Sequence, residues 1–362
     1  MRVHGMSNGY SISYSDYPPG ASVLLHLIQK GSLWMGIDNF LLLKISIAAA
    51  AWLGALVFWL WSGRLLATIG LLFAVLLNTA AHGYLDGLYL PALFLSLWLL
   101  QRRQLEWAAF FYVAAISVKW QPIIIAPFWA AYACEFRLGN LLKPREWLLP
   151  LRRVAIGAAP LLLAGFLLFK PAAILDAFIR ALTSHKALSF QALNSNWVLQ
   201  FITYKIQGAS GIPFFEIKPP LALSLLVRAL FYGSYVFVLI SFLRARRSFA
   251  DFVWFSCVGF LTYFTLNLGV HENHLFVAVV LSFAALCVQR PRAMEAALFI
   301  SVMASLNLLI FYGIDGRTPL PSPASTGATL ILGLLNTLFL GASLWNVARH
   351  DRAPASAAVP ET

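Results

Sequence analysis

Apolar residues dominate this chain and fall into long runs separated by short polar breaks. About eleven such runs stand out, near 41–61, 65–80, 87–100, 106–118, 122–136, 154–170, 221–243, 251–269, 274–289, 293–313 and 326–347. Runs of this length and composition read as helices, because a lipid-exposed backbone must satisfy its own hydrogen bonds. Several are shorter than the roughly 20 residues that a perpendicular span needs. Pro122 is the ambiguous point: it either separates 106–118 from 122–136 or kinks one long helix. The expected fold is all-α, a polytopic transmembrane helical bundle of about eleven spans with interfacial helices on the non-cytoplasmic face. Residues 1–38 are expected to form an outer-face loop and interfacial helix, 39–350 the transmembrane domain with an outer loop at about 171–220, and 351–362 a disordered cytoplasmic tail.

The short loops set the orientation. "SGR" (62–64), "QRRQ" (101–104), "CEFRLGNLLKPREWLLPLRR" (134–153), "RARR" (244–247), "QRPR" (289–292) and "ARHDR" (348–352) concentrate Arg and Lys. The positive-inside rule makes these loops cytoplasmic. They alternate correctly with eleven spans, and the alternation fails if 106–136 is a single span.

Composition sharpens this picture. The chain is 60% hydrophobic and 11% charged, against about 25% charged in soluble domains. Its net charge of +12 sits in the short loops. No basic stripe interleaved with aromatics marks a nucleic-acid partner. Cys134, Cys257 and Cys287 are scattered on apolar runs with no CxxC, so no disulfide framework is expected. The first 20 residues lack the pattern of a signal peptide.

The opposite face collects the unusual polar residues: Asp16, His82, Asp86, Lys119, Gln121, His185, Lys186, Asn194, Asn196, Trp197, His271, Glu272 and His274. An ionisable group at membrane depth costs roughly 2.5–3.5 kcal/mol. So many of them at helix ends on one face imply a shared polar cavity.

Each motif has a plain reading and a functional one. "SDYPPG" (15–20) reads as a rigid extended turn, its two prolines holding Asp16 and Tyr17 either in solvent or at a cavity mouth as a positioned acid or base. The following "ASVLLHLIQKGSLW" (21–34) reads as a helix lying in the interface, with Trp34 at headgroup level. In "HGYLDG", His82 and Asp86 share one helix face and form either a helix-end anchor or an acid/base pair. In "SVKWQP", Lys119 either snorkels beside Trp120 or binds phosphate. The His271 and His274 pair in "GVHENH" invites zinc, but its i, i+3 spacing departs from the metalloprotease pattern and no third ligand set is evident. A polar cluster opening the next helix and facing the cavity is favoured. "DAFIRALTSHKALSF" (176–190) reads as an amphipathic surface helix. Asn194, Asn196 and Trp197 suit sugar hydroxyls and ring stacking, or are turn residues beside an interfacial Trp.

Taken in order, these motifs resemble one family. "SDYPPG", "HGYLDGLYL", "SVKWQPIIIAPF" and "LGVHENHL" are similar to successive segments of the C-type polytopic membrane glycosyltransferases. The nearest pattern is that of the dolichyl-phosphate-glucose glucosyltransferases of N-glycan assembly and their bacterial relatives. The resemblance spans roughly 13–290, and its specificity lies in the combination of short motifs. It implies transfer of a hexose from a polyprenyl-phosphate sugar to a lipid-linked or glycan acceptor on the non-cytoplasmic face. With the charge pattern, it implies a bacterial inner membrane and a site facing the periplasm or exterior. The carry-over makes Asp16 the base or acceptor-side acid, with Asp86 in reserve. Lys119 and His271 become ligands of the donor phosphate, and Tyr17, His82, Gln121, Asn196, Trp197, Glu272 and His274 cavity or substrate contacts. The bilayer, the lipid-linked donor and the acceptor are the implied partners, and no cofactor is indicated. A divalent metal stays open, with no Asp-X-Asp to argue for it. Two departures stand out. The family's first transmembrane helix and first-loop acid have no counterpart ahead of Asp16, and Asn273 stands where the family has Lys. A transporter or lipid-linked-sugar flippase is the rival reading, and an inactive truncated homologue the third.

Overall fold

The computed structural model describes residues 10, 16–140, 142–183, 187–208, 214, 217–245, 248–313 and 326–350. Expectations for His185, Lys186 and the tail 351–362 lie outside them. Among the described residues there are fourteen α-helices and one two-stranded ladder of two residues per strand. The helices are α1 Pro19–Met35, α2 Asn39–Ser62, α3 Leu65–Val75, α4 Asp86–Gln101, α5 Leu105–Val118, α6 Ala126–Ala133, α7 Pro144–Leu168, α8 Pro171–Thr183, α9 Ser195–Gln207, α10 Leu221–Arg244, α11 Phe249–Leu266, α12 Phe276–Cys287, α13 Ala293–Tyr312 and α14 Thr326–His350.

Six of these helices, α2, α7, α10, α11, α13 and α14, are long and apolar enough to cross a membrane. They mark a multi-pass membrane protein. Each of the eleven apolar runs contains a helix, but α3, α4, α5 and the segment 272–287 are shorter apolar helices, and α6 has only 8 residues. Local chemistry sets several ends. Asp38 caps α2 by accepting from the Phe40 and Leu41 amides at 3.0 and 2.9 Å, and Gly63 closes it in the left-handed region at φ 65°. Ser248 and Asp251 form a capping box that starts α11.

The chain breaks between α5 and α6. Lys119 is extended (φ −148°, ψ 139°), and a 3₁₀ turn, Gln121–Ile125, carries Pro122 near its start. Pro122 therefore opens a new element rather than kinking one helix.

Three expectations are corrected. The helix expected at 154–170 starts ten residues earlier, at Pro144. Arg145, Glu146, Arg152 and Arg153 depress the local hydropathy, yet Arg153 holds Glu106 of α5 in a two-pronged pair at 2.6 and 2.8 Å. Gly157 lets α7 close on α5 there, since a Cβ would lie 1.9 Å from the Glu106 carbonyl oxygen. Where a helix is expected at 176–190 the described helix is Pro171–Thr183, and Ser189–Phe190 (β1) pairs in parallel with Val270–His271 (β2) instead. Finally, the prolines of "DYPPG" are the N-cap and first residue of α1, a position where the missing N–H and fixed φ suit a helix start.

Along α4, α5 and α11 a basic segment and a polar motif stand at opposite ends of the same helix. Asp86 starts α4, Lys119 follows α5 and Asn267 follows α11, while "QRRQ" and "RARR" lie at the other ends of those helices. Helices α11 and α12 are buried along most of their length and form the centre. Helices α7 and α10 are buried over only 6% and 17% of their most apolar stretches, so their outer faces are left for lipid.

Candidate functional site

The site grows from the end of α5. Lys119 Nζ lies 3.4 Å from Asp86 Oδ2 at the start of α4 and 3.4 Å from the Tyr17 hydroxyl. It also sits 4.7 Å over the Tyr17 ring, a cation–π contact. Asn273 Nδ2 donates to the same Asp86 oxygen at 3.0 Å, and Asp86 Oδ1 has no hydrogen-bond partner. Burial works against the Lys119 ammonium, but Asp86 and Tyr17 outweigh it and hold its pKa above the usual lysine range. Lys119 is therefore a cation already matched by a buried carboxylate.

The segment carrying Asp16 is pinned from several sides. Trp120 Nε1 donates to the Asp16 carbonyl at 2.9 Å, and the Tyr10 hydroxyl donates to the Tyr17 carbonyl at 2.9 Å. Gly20 allows the start of α1 to lie against α5, since a Cβ there would be 2.5 Å from the Ser117 carbonyl oxygen. Trp120 in turn packs edge-on against Phe178 of α8 at 5.1 Å. Asp16 is thus held by its backbone, and its side chain is half-buried in a cavity wall.

The third wall is the turn after α11. The β1–β2 ladder ties the loop after α8 to residues 270–271, and Phe190 stacks on the His271 ring at 5.2 Å. A 3₁₀ turn, Glu272–Leu275, then runs into α12. Glu272 Oε1 accepts from the Tyr84 hydroxyl at 2.6 Å, and its other oxygen lies 3.7 Å from His271 Nδ1. Burial and the neighbouring Glu272 carboxylate push the Tyr84 pKa far above the usual tyrosine value, so Tyr84 stays a donor. The Tyr263 hydroxyl and His274 Nδ1 are 3.0 Å apart. Asn307 of α13 fixes the turn from behind, donating to the Glu272 carbonyl at 3.0 Å and accepting from the Leu193 amide at 2.6 Å.

Together these walls enclose a cavity of about 510 Å³. Asp16, Tyr17, Lys119, Gln121, His271, Glu272 and His274 all line it. Gln121 is largely buried there, and its Oε1 has no hydrogen-bond partner. Four expected residues lie outside the lining. Asp86 is set behind Lys119, only 1% exposed. His82 braces the bundle, its ring nitrogens 3.2 and 2.8 Å from the Leu77 and Gly313 carbonyls. Asn196 is a strut, donating to the Asn267 carbonyl at 2.7 Å. Trp197 is buried against Phe214 and Phe311. The nearby Asn194 caps α9 through the Trp197 amide.

Sequence reasoning passed over Arg228, Tyr84 and Asn267, which also line the cavity. Arg228 carried a usable signal: a single Arg eight positions into an apolar run is costly unless it faces something polar. It sits on α10, one of the two spanning helices least covered by protein. Arg228 and Tyr232 of α10 both line the cavity and both are exposed, so one of its walls is a helix little covered by protein. Among the described residues, no three His, Cys, Asp or Glu side chains converge as metal ligands. No model of a known protein family matches this chain, and no curated protein sequence does.

Proposed function

We propose that this chain is a membrane glycosyltransferase of the C-type superfamily, moving a hexose from a polyprenyl-phosphate sugar to a lipid-linked or glycan acceptor. One observation carries the reading. A half-buried carboxylate, Asp16, shares one cavity with the cations Lys119 and Arg228 and with His271, and one wall of that cavity is α10, a helix little covered by protein. A soluble substrate gains nothing from a wall facing lipid; a sugar on a lipid phosphate needs both surfaces.

The chemistry follows. The acceptor hydroxyl attacks the anomeric carbon, and Asp16 takes its proton as general base. The bond between that carbon and the phosphate oxygen breaks, and the electron pair leaves with the polyprenyl phosphate. Lys119, Arg228 and His271 stabilise the charge that develops there. Asp86, paired with Lys119 and sealed behind it, positions that ammonium rather than taking a proton. Tyr17, Gln121, Glu272 and His274 contact the sugar or the acceptor. The motif order of the four segments adds its resemblance to this reading. Eleven spans, with α1 and α8 lying in the interface, complete the picture. The basic loops face the cytoplasm of a bacterial inner membrane, and the cavity faces the periplasm or exterior.

The test is transfer by the purified full chain in nanodiscs, supplied with a panel of radiolabelled polyprenyl-phosphate hexoses and a bacterial lipid extract as acceptor. The reading expects label in a new lipid or glycan product. Movement of the labelled lipid across the bilayer with no covalent product would sink it in favour of a transporter or flippase.

A further inference from the structure

A second cavity, of about 660 Å³, lies at the basic end of the bundle, far from the site above. Its walls are the loop between α6 and α7 and the last turn of α10. The loop is built rather than slack. Buried Asn140 ties it by accepting from the Arg137 amide at 2.7 Å and donating to the Glu135 carbonyl at 2.9 Å. The Lys143 amide then donates to the Asn140 carbonyl at 2.9 Å. This holds Arg137 and Lys143 facing Arg244 across the cavity.

The charge there is one-sided. Arg137, Lys143 and Arg244 line it with one carboxylate, Glu146, giving +3 − 1 = +2. Glu146 lies 3.7 Å from Lys143, and the other acid of this loop, Glu135, is turned away to Arg103 at 3.4 Å. The same loop exposes Leu142 (95%) and Leu138 (44%). The cavity runs into α7 and α10, the two spanning helices least covered by protein. Cations around a cleft, with bare leucines beside them and lipid-facing helices leading away, match the layering of a bilayer edge.

We propose that this cleft binds the phosphodiester headgroup of an anionic phospholipid, with Arg137, Lys143 and Arg244 on the phosphate and the acyl chains lying along α7 and α10. The proposal is independent of the transferase reading. It is tested by native mass spectrometry of the full chain released from nanodiscs of phosphatidylcholine mixed with phosphatidylglycerol, counting retained lipids. Wild type should retain phosphatidylglycerol in excess of its share of the bilayer. R137Q and R244Q should each lower that retention about fivefold. R152Q, which removes an exposed cation of α7 outside the cleft, should leave it unchanged. Melting temperatures in pure phosphatidylcholine should match for all four proteins, and phosphatidylglycerol should raise that of wild type and R152Q only. The proposal is overturned if R152Q loses as much lipid as R137Q, if retention follows bulk composition, or if inorganic phosphate with phosphatidylcholine alone reproduces the thermal shift. Should a variant melt lower in pure phosphatidylcholine, the wild-type retention ratio decides by itself.

Discussion

Lys119 and Asp86, 33 residues apart in sequence, form an ion pair at 3.4 Å with side chains 7% and 1% exposed. The pair joins the end of α5 to the start of α4, and Asn273 adds the turn before α12 through the same Asp86 oxygen. Three elements of the cavity therefore depend on one buried charge balance. Removing one partner of such a pair strands the other without compensation. Asp86→Asn should lower stability by about 3–5 kcal/mol, read as a fall in melting temperature in detergent or nanodiscs. The double variant Asp86→Asn with Lys119→Met should recover much of that loss. Equal stability of Asp86→Asn and wild type would mean that the pair holds nothing.

The pair also has a pH signature. Asp86 and Tyr17 hold the Lys119 pKa above its ordinary value of 10.5 despite the opposing effect of burial. A raised lysine contributes stability that is fully present below the unfolded value and is lost as pH rises through the folded one. The difference in melting temperature between wild type and Lys119→Met should be flat from about pH 6 to 9 and shrink only in strong alkali. A decline already between pH 7 and 9 would contradict the assignment.

Gly20 tests how Asp16 is placed. A Cβ added at Gly20 would sit 2.5 Å from the Ser117 carbonyl oxygen, so Gly20→Ala must push α1 off α5 and carry Asp16 and Tyr17 with it. A stability loss of about 1–3 kcal/mol is expected from the overpacking. Sugar transfer should fall more steeply than stability. Full activity at reduced stability would separate Asp16 from the chemistry.

Tyr84 supports Glu272 through the 2.6 Å hydrogen bond, and its raised pKa keeps that proton in place. Tyr84→Phe leaves a buried carboxylate short of a donor, at a cost of about 1–3 kcal/mol. Thermal denaturation of Tyr84→Phe beside Tyr312→Phe, whose hydroxyl donates to Gln191 at 2.9 Å and also touches the Tyr84–Glu272 pair, ranks the two hydroxyls as supports of Glu272. The Tyr84 variant should be the less stable.

Much of this architecture was legible in the chain because apolar length and loop charge are local properties. The eleven runs could be read without knowing what packs on what, and seven of the eleven singled-out residues meet in one cavity. What escaped was pairwise. Nothing local says that Asp86 faces Lys119, or that Arg153 of α7 finds Glu106 of α5. A ladder of two residues per strand has no periodicity to read, so the approach of Phe190 to His271 was invisible. Trp197 and Asn196 carried side chains suited to a sugar, yet Trp197 packs among aromatic rings and Asn196 braces the turn at Asn267. Residue type could not distinguish a lining from a strut.

The central claim is that Asp16 takes a proton from an acceptor during hexose transfer. The most direct measurement compares wild type and Asp16→Asn in the nanodisc transfer assay, with melting temperatures recorded on the same samples. Wild type should form a labelled product, and Asp16→Asn should form it at least about 100-fold more slowly with an unchanged melting temperature. Transfer by Asp16→Asn at the wild-type rate, or no transfer by wild type from any polyprenyl-phosphate hexose, would contradict the account.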